Sequence, residues 1–277
     1  MYDEFRRVWL RPIALMIAIG FALCANDAFA ESRWTDRHTT GPFVFQADFS
    51  LKRHEALFDE LAELQEELVR VLGIVPARER IHVYMFQDES SYRSFMRRQF
   101  PDVPYRRALF FKRDGPGMVF AYRQGDLATD LRHECTHALL HASLPMVPLW
   151  LDEGLAEYFE SPREMRAFDC PHLASLRWNL RLGMMPSLDE LERRTGLEEM
   201  GAQQYRFSWA WVHFMLHGPA EAHEKLVSYL RDIEAGNPSD RLSERLNRQL
   251  PDLESQLVQH FKSWRRPDAS TASIAKP

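Results

Sequence analysis

The chain has 277 residues, which is enough for one large or two small domains with a sizeable hydrophobic core. Its 35 Lys and Arg residues are outnumbered by 40 Asp and Glu residues, and the resulting net charge of −5 excludes the overall basic charge typical of nucleic-acid-binding domains. The apolar fraction of 45% and the aromatic fraction of 12% are those of an ordinary globular protein.

The first thirty residues have the pattern of a secretory signal peptide. Three arginines supply a basic start, and residues 12–25 form an uncharged apolar run that is too short for a comfortable membrane span. Ala28-Phe29-Ala30 matches the A-x-A site at which signal peptidases cut. We expect residues 1–30 to be removed from a periplasmic or secreted protein without stable membrane insertion afterwards; an uncleaved anchor is the alternative.

The next segments predict a mixed α/β part. Residues 31–41 are polar and predict a loose lead-in, and residues 42–160 alternate between strand and helix patterns. Leucines at spacings of three and four predict a long amphipathic helix in this part. The predicted elements are a strand at 43–47, a helix at 51–72, a strand at 81–86, a short helix at 89–100 and a hairpin with arms 108–112 and 118–122.

Residues 161–266 have helical patterns almost throughout and predict an all-helical part. The predicted helices cover 162–182, with a break allowed at Pro171, then 188–194, 203–217, 220–235 and 242–264. Residues 267–277 carry no such pattern and are expected to be disordered. Together, the elements predict an α+β fold in which a small N-terminal mixed sheet with helices is followed by a helical half.

The clearest chemical pattern in the chain is His133-Glu134-Cys135-Thr136-His137. Positions i and i+4 of a helix lie on one face, so the two histidines can reach the same metal ion. Zinc binds histidine nitrogen, and catalytic zinc sites keep one position open for water. The glutamate beside the first histidine is placed to accept a proton from that water rather than to bind the metal.

Two histidines alone make a poor site, so the pattern requires a third ligand. A third histidine six residues after the second is excluded, because Ser143 occupies that position. The remaining source is a carboxylate on the following helix, predicted at 149–160 after two prolines end the first helix. Glu153 and Glu157 share one face of that helix, so the spacing alone leaves both as candidates.

The H-E-C-T-H motif at 133–137 and the W-L-D-E-G-L-A-E segment at 150–157 resemble those of the gluzincin zinc metallopeptidases, and are most similar to the peptidase MA-like family. The resemblance implies that both histidines and Glu153 hold one zinc ion per chain, with Glu134 as the general base. It also implies the gluzincin layout, in which the zinc site lies between the α/β part and the helical part. The match covers roughly residues 115–217.

The same resemblance implies roles for three neighbouring residues. Glu157 would orient His133, and Asp152 would support His137, because such bonds fix the tautomer of a metal-binding histidine. Tyr205 lies in a segment similar to the helix that carries the catalytic tyrosine of the aminopeptidase N group, and would donate a hydrogen bond to the oxyanion. The alternatives are a solvated helix face for Glu157, a helix N-terminal acid for Asp152 and a packing role for Tyr205.

The hairpin ahead of the zinc motif is expected to bind the substrate. In gluzincins a strand at this place pairs with the substrate backbone, and Gly117-Met118-Val119-Phe120-Ala121 occupies the matching position. The aminopeptidase N group has a glutamate on this strand that captures the free amine of the substrate. This segment has no carboxylate, which favours an endopeptidase over an aminopeptidase; an ordinary sheet edge is the alternative.

Two cysteines and one histidine near the motif receive other interpretations. Cys135 lies about 200° around the helix from His133 and should face the core. A disulfide with Cys170 and a pair of buried free thiols are both open. His141 lies about 12 Å along the helix from His133, which is too far to share an ion, and is expected to be polar lining or surface.

These observations lead to a secreted or periplasmic zinc-dependent peptidase as the first hypothesis, acting on a peptide or protein substrate and binding no nucleic acid. The alternative is a zinc-stabilised binding protein that keeps the fold with little or no hydrolysis. A structural zinc site has no need of a general base, and such sites tend to be closed and rich in cysteine, which favours the first hypothesis. The sequence leaves the oligomeric state open.

Overall fold

The computed structural model describes residues 33–113, 115–168 and 170–266. The predicted signal peptide and the predicted disordered tail lie outside these residues. The strands in the described part are β1 (Asp36–Thr40), β2 (Phe43–Ala47), β3 (Ile81–Phe86), β4 (Ala108–Phe111) and β5 (Met118–Tyr122). They form one mixed sheet in the order β1-β2-β3-β5-β4.

The pairing of these strands leaves β4 at one edge. Strands β2, β3 and β5 run parallel to one another, while β1 and β4 are antiparallel to their neighbours. Strand β5 is therefore paired on both sides, although β4 precedes it in the chain.

Strand β1 corrects the prediction of a loose lead-in over 31–41. Its five residues pair with β2 across a tight turn at Gly41, whose φ of 51° lies in the left-handed region. The sequence of β1, Asp-Arg-His-Thr-Thr, has no apolar residue, because an edge strand buries little surface.

The helices confirm an α+β fold with an extended helical part after the sheet. Their bounds are α1 (Glu55–Leu72), α2 (Glu89–Gln99), α3 (Leu127–Ser143), α4 (Leu149–Phe159), α5 (His172–Arg181), α6 (Leu188–Glu192), α7 (Ala202–His217), α8 (Ala220–Glu234), α9 (Leu242–Gln249) and α10 (Leu253–Ser263). None of the helices in the described part combines the length and the apolar character needed to span a bilayer.

Two of the predicted helices are interrupted. The helix predicted over 162–182 begins only at His172, because turns occupy the preceding segment and Pro171 stands at its N-terminus. The helix predicted over 242–264 is divided into α9 and α10 at Pro251, and the next residue, Asp252, has a positive φ of 52°. Proline lacks the backbone donor that a continuous helix needs at this point.

The core occupies both faces of the sheet. On one face, Val83 and Met85 belong to the main cluster, which includes the buried sides of α1, α3, α4 and α7. On the other, Tyr84 and Phe86 pack with aromatic residues of α2. Because side chains alternate along a strand, burial on both faces explains why five of the six residues of β3 are apolar. The main cluster also holds Cys135 and Cys170, which are both buried free thiols.

Candidate metal centre

The site is built on two consecutive helices. Helix α3 presents His133 and His137 on one face, and α4 starts directly after Pro148, whose φ of −58° suits the beginning of a helix. The turn between the helices brings Glu153 against both histidines. His137 and Glu153 are buried, with exposures of 7% and 6%.

Three ligand atoms converge between these helices. The Nε2 atoms of His133 and His137 are 3.2 Å apart, and each lies 3.7 Å from Oε2 of Glu153. Ligand atoms around a tetrahedral zinc ion with bonds of about 2.1 Å are separated by about 3.4 Å. The spacing of the three atoms therefore fits one small tetrahedral cation.

The partners of the histidines make this arrangement suited to a cation. Nδ1 of His133 lies 3.0 Å from Oε2 of Glu160, and Nδ1 of His137 lies 2.9 Å from Oδ1 of Asp152. The second contact is not aligned for a straight hydrogen bond, but both of its atoms are buried and neither has another partner in the described structure. Carboxylates at Nδ1 favour the tautomers that donate from Nδ1, so both Nε2 atoms present lone pairs toward Glu153. When both histidines are neutral the three facing atoms are all acceptors, and a cation between them would satisfy all three.

Glu160 forms the hydrogen bond that was predicted for Glu157. In the structure Oε2 of Glu157 lies 2.6 Å from Nε2 of His172, at the start of α5. Glu160 follows Glu153 by seven residues, a spacing that returns to nearly the same face of a helix. The heptad spacing could have identified Glu160 in the sequence, whereas the contact between Glu157 and His172 depends on the turn ahead of α5.

The electrostatic field of the site is strongly negative. Burial alone would lower the pKa of His133, but hydrogen bonds to Glu153 and Glu160 outweigh it and hold the pKa well above its usual value. Burial would raise the pKa of Asp152, yet the flanking His137 lowers it. Surplus negative charge of this kind attracts a divalent cation.

His141, which was expected to be polar lining or surface, supports Asp152 from the other side. Its Nε2 atom lies 3.0 Å from Oδ2 of Asp152, one turn beyond His137 on α3. The Asp152 carboxylate therefore lies between His137 and His141. The contact with His141 fixes its orientation toward His137.

Glu134 is held by the sheet rather than by its own helix. Its Oε2 atom accepts a hydrogen bond of 2.6 Å from the backbone N–H of Phe110 in β4. The substrate-strand role proposed for 117–121 does not fit this topology, because β5 is paired on both sides. The open edge beside Glu134 is β4, and the sequence could not show which arm of the hairpin would lie outside.

Tyr205 lies in the first turn of α7 and is half-buried. Burial raises the pKa of Tyr205, and the charge of Glu153 raises it further, while interaction with Arg106 opposes both effects. Helix α7 packs closely against α4 at Gly154, where an added Cβ would lie 2.6 Å from the carbonyl oxygen of Ser208. The glycine after Glu153 therefore permits the close approach of the two helices.

No protein-family model matches the sequence, and no curated protein matches it. Among solved structures, the chain is similar to an M1 zinc metallopeptidase from Deinococcus radiodurans, with 18% identity, a TM-score of 0.45, and coverage of 83% of this chain and 51% of that one. It is also similar to a mutant M1 zinc metallopeptidase from the same organism bound to a Tyr-Ser-Ala substrate, with 16% identity, a TM-score of 0.41, and coverage of 85% and 52%. The chain spans about half the length of both structures.

Proposed function

We propose that this protein is a zinc-dependent peptidase, with His133, His137 and Glu153 as the ligands of one zinc ion. The observation that carries the proposal is the convergence of their three acceptor atoms beside Glu134, a carboxylate that contacts the open edge of a sheet. A bound zinc ion would supply a Lewis acid that lowers the pKa of water and polarises a carbonyl group.

The residues around the ligands supply the remaining chemistry. Glu134 follows the first ligand in α3, and would accept a proton from the attacking water and pass it to the leaving amine. Tyr205 would donate its phenol hydrogen to the developing oxyanion, since its raised pKa keeps it protonated at neutral pH. Glu160 and Asp152 would hold the two histidines in the tautomer that leaves Nε2 free.

A peptide is the substrate class that the sheet favours. Strand β4 has an open edge, and an extended peptide can add to such an edge through backbone hydrogen bonds. Neither β4, Ala-Leu-Phe-Phe, nor β5 carries a carboxylate that could capture a free N-terminal amine. We therefore propose internal cleavage rather than removal of N-terminal residues, in the periplasm or outside the cell, as the predicted signal peptide would require.

The test is the digestion of a diverse peptide library by the zinc-loaded protein, read by mass spectrometry, with a measured zinc content for each variant. Glu134→Gln should retain one zinc ion per chain and lose turnover by about 10²- to 10⁴-fold, the usual contribution of a general base. Glu66→Gln, an exposed change on α1, is the matched control and should cut like the wild type.

Three outcomes would contradict parts of the proposal. A wild-type protein that carries zinc and cuts no peptide would favour the zinc-stabilised binding protein. Full turnover by Glu134→Gln would reject that residue as the base. Stepwise loss of N-terminal residues would reject the preference for internal cleavage.

A further inference from the structure

A small cavity lies at the approach to strand β4, on the face of the sheet against which α2 packs. It has a volume of about 150 Å³ and is formed by α2 and the segment that leads from α2 to β4. Three arginines line it, and apolar residues form much of the remaining wall. The arginines are Arg93, Arg97 and Arg106.

Two of these arginines lack an ionic partner. Arg93 is neutralised by Glu89 at 2.7 Å and lies over the ring of Tyr105 at 3.7 Å. Arg97 contacts only a backbone carbonyl, at 3.4 Å, and no carboxylate of the described residues forms an ion pair with Arg97 or with Arg106. The cavity therefore carries surplus positive charge in a protein whose net charge is −5.

Two contacts connect the wall of the cavity to other elements of the candidate site. Tyr92, which also lines it, donates a hydrogen bond of 2.9 Å to the backbone carbonyl of Arg106 and so fixes that residue two positions ahead of β4. Burial raises the pKa of Tyr92, and the charge of Glu134 raises it further. The guanidinium of Arg106 interacts in turn with the hydroxyl of Tyr205.

We propose that this cavity is a specificity subsite that binds a carboxylate of the peptide substrate, with Arg106 as its main contact and Arg97 as the second. The inference rests on the proposed peptidase function, because it requires a peptide on β4. A guanidinium offers a fork of donors that matches a carboxylate, and Arg106 stands where a chain paired with β4 would extend past Ala108. The carboxylate can come from an acidic side chain or from the C-terminus of the peptide.

A binding measurement separates this inference from catalysis. The zinc-loaded Glu134→Gln protein is titrated calorimetrically with alanine-rich hexapeptides in which one glutamate occupies each position in turn, and with the matched glutamine peptides. Every peptide is used as the C-terminal acid and as the amide. Glutamate-dependent binding at one position would identify the side-chain source, and acid-dependent binding would identify the C-terminal source.

We expect the carboxylate to tighten binding about tenfold, which is the lower end of what a hydrogen bond to a charged group contributes. Arg106→Ala in the same background should abolish this preference, and Arg106→Lys should keep part of it, because a lysine retains the charge without the fork. Arg98→Ala, which removes an exposed arginine of α2 that does not line the cavity, is the control and should keep the full preference.

Equal binding of all the peptides would overturn the inference, and so would a preference that survives Arg106→Ala. Turnover is a separate readout. If the wild type cuts no peptide yet Arg106 sets a carboxylate preference, the peptidase proposal fails and the cavity is a carboxylate-binding site for a bound peptide rather than a substrate subsite. If it cuts with no such preference, the subsite is rejected and the peptidase proposal stands.

Discussion

Gly154→Ala should uncouple the two helices that carry Glu153 and Tyr205. The added Cβ would lie 2.6 Å from the carbonyl oxygen of Ser208, whereas ordinary contacts begin at 3.4 Å, so α7 would have to retreat by about 0.8 Å. Overpacking of this kind costs about 1–3 kcal/mol, and we take the upper half of that range because the obstacle is backbone. Alanine regains about 1 kcal/mol of helix propensity, which leaves a net loss of about 1–2 kcal/mol.

The effect on activity should exceed the effect on stability. Under the proposed function Tyr205 is a catalytic group on α7, and a displacement of about 1 Å in such a group can lower the rate about 10²-fold. Urea unfolding gives the free energy of unfolding, and kcat/KM comes from a peptide that the wild type cuts. Gly125→Ala is the control for loss of a glycine, since nothing lies within 4 Å of its added Cβ. A Gly154→Ala protein as stable as the wild type would refute the reasoning.

Two further predictions concern the neighbours of the ligands and a histidine in the helical part. Glu160→Gln should weaken zinc binding about 10- to 100-fold in a chelator competition, because Glu160 orients His133. Glu157→Gln should weaken zinc binding less. The opposite order would reject Glu160 as the partner of His133. Burial lowers the pKa of His213 to about 3, so the unfolded chain binds more protons below its usual pKa. The contribution of that neutral histidine to stability should be complete above about pH 6.5 and decline as the pH falls toward 3. Unfolding free energies measured across this range should fall less steeply in His213→Asn, and parallel curves would argue against the prediction.

The sequence predicted those parts of the fold that rest on periodicity. The strands at 43–47 and 81–86 have the bounds expected from their apolar runs, because both are mostly buried. The i and i+4 spacing on a helix likewise placed His133 and His137 on one face.

The parts that the sequence did not predict depend on long-range packing. The two arms of the hairpin have similar composition, so their sequences do not reveal that β5 pairs with β3 and leaves β4 outside. The partner of His133 depends on side-chain conformations at the end of α4, where Glu157 and Glu160 are both within reach. Pro251 separates α9 from α10, but the leucines on both sides continue the helical pattern across it, so the sequence pattern predicted one helix.

Under the proposed function, the hydrogen bond from Phe110 to Glu134 links the strand that would bind the peptide to the general base. Backbone N–H groups alternate in direction along an edge strand, so those of Ala108 and Phe110 both point to the open edge of the sheet. The N–H of Phe110 already donates a hydrogen bond to Glu134. A peptide that pairs with this edge would therefore contact the strand that holds Glu134. Under the proposed function, a peptide that aligns poorly would bind and yet react slowly, so selectivity among sequences would be expressed in kcat more than in KM.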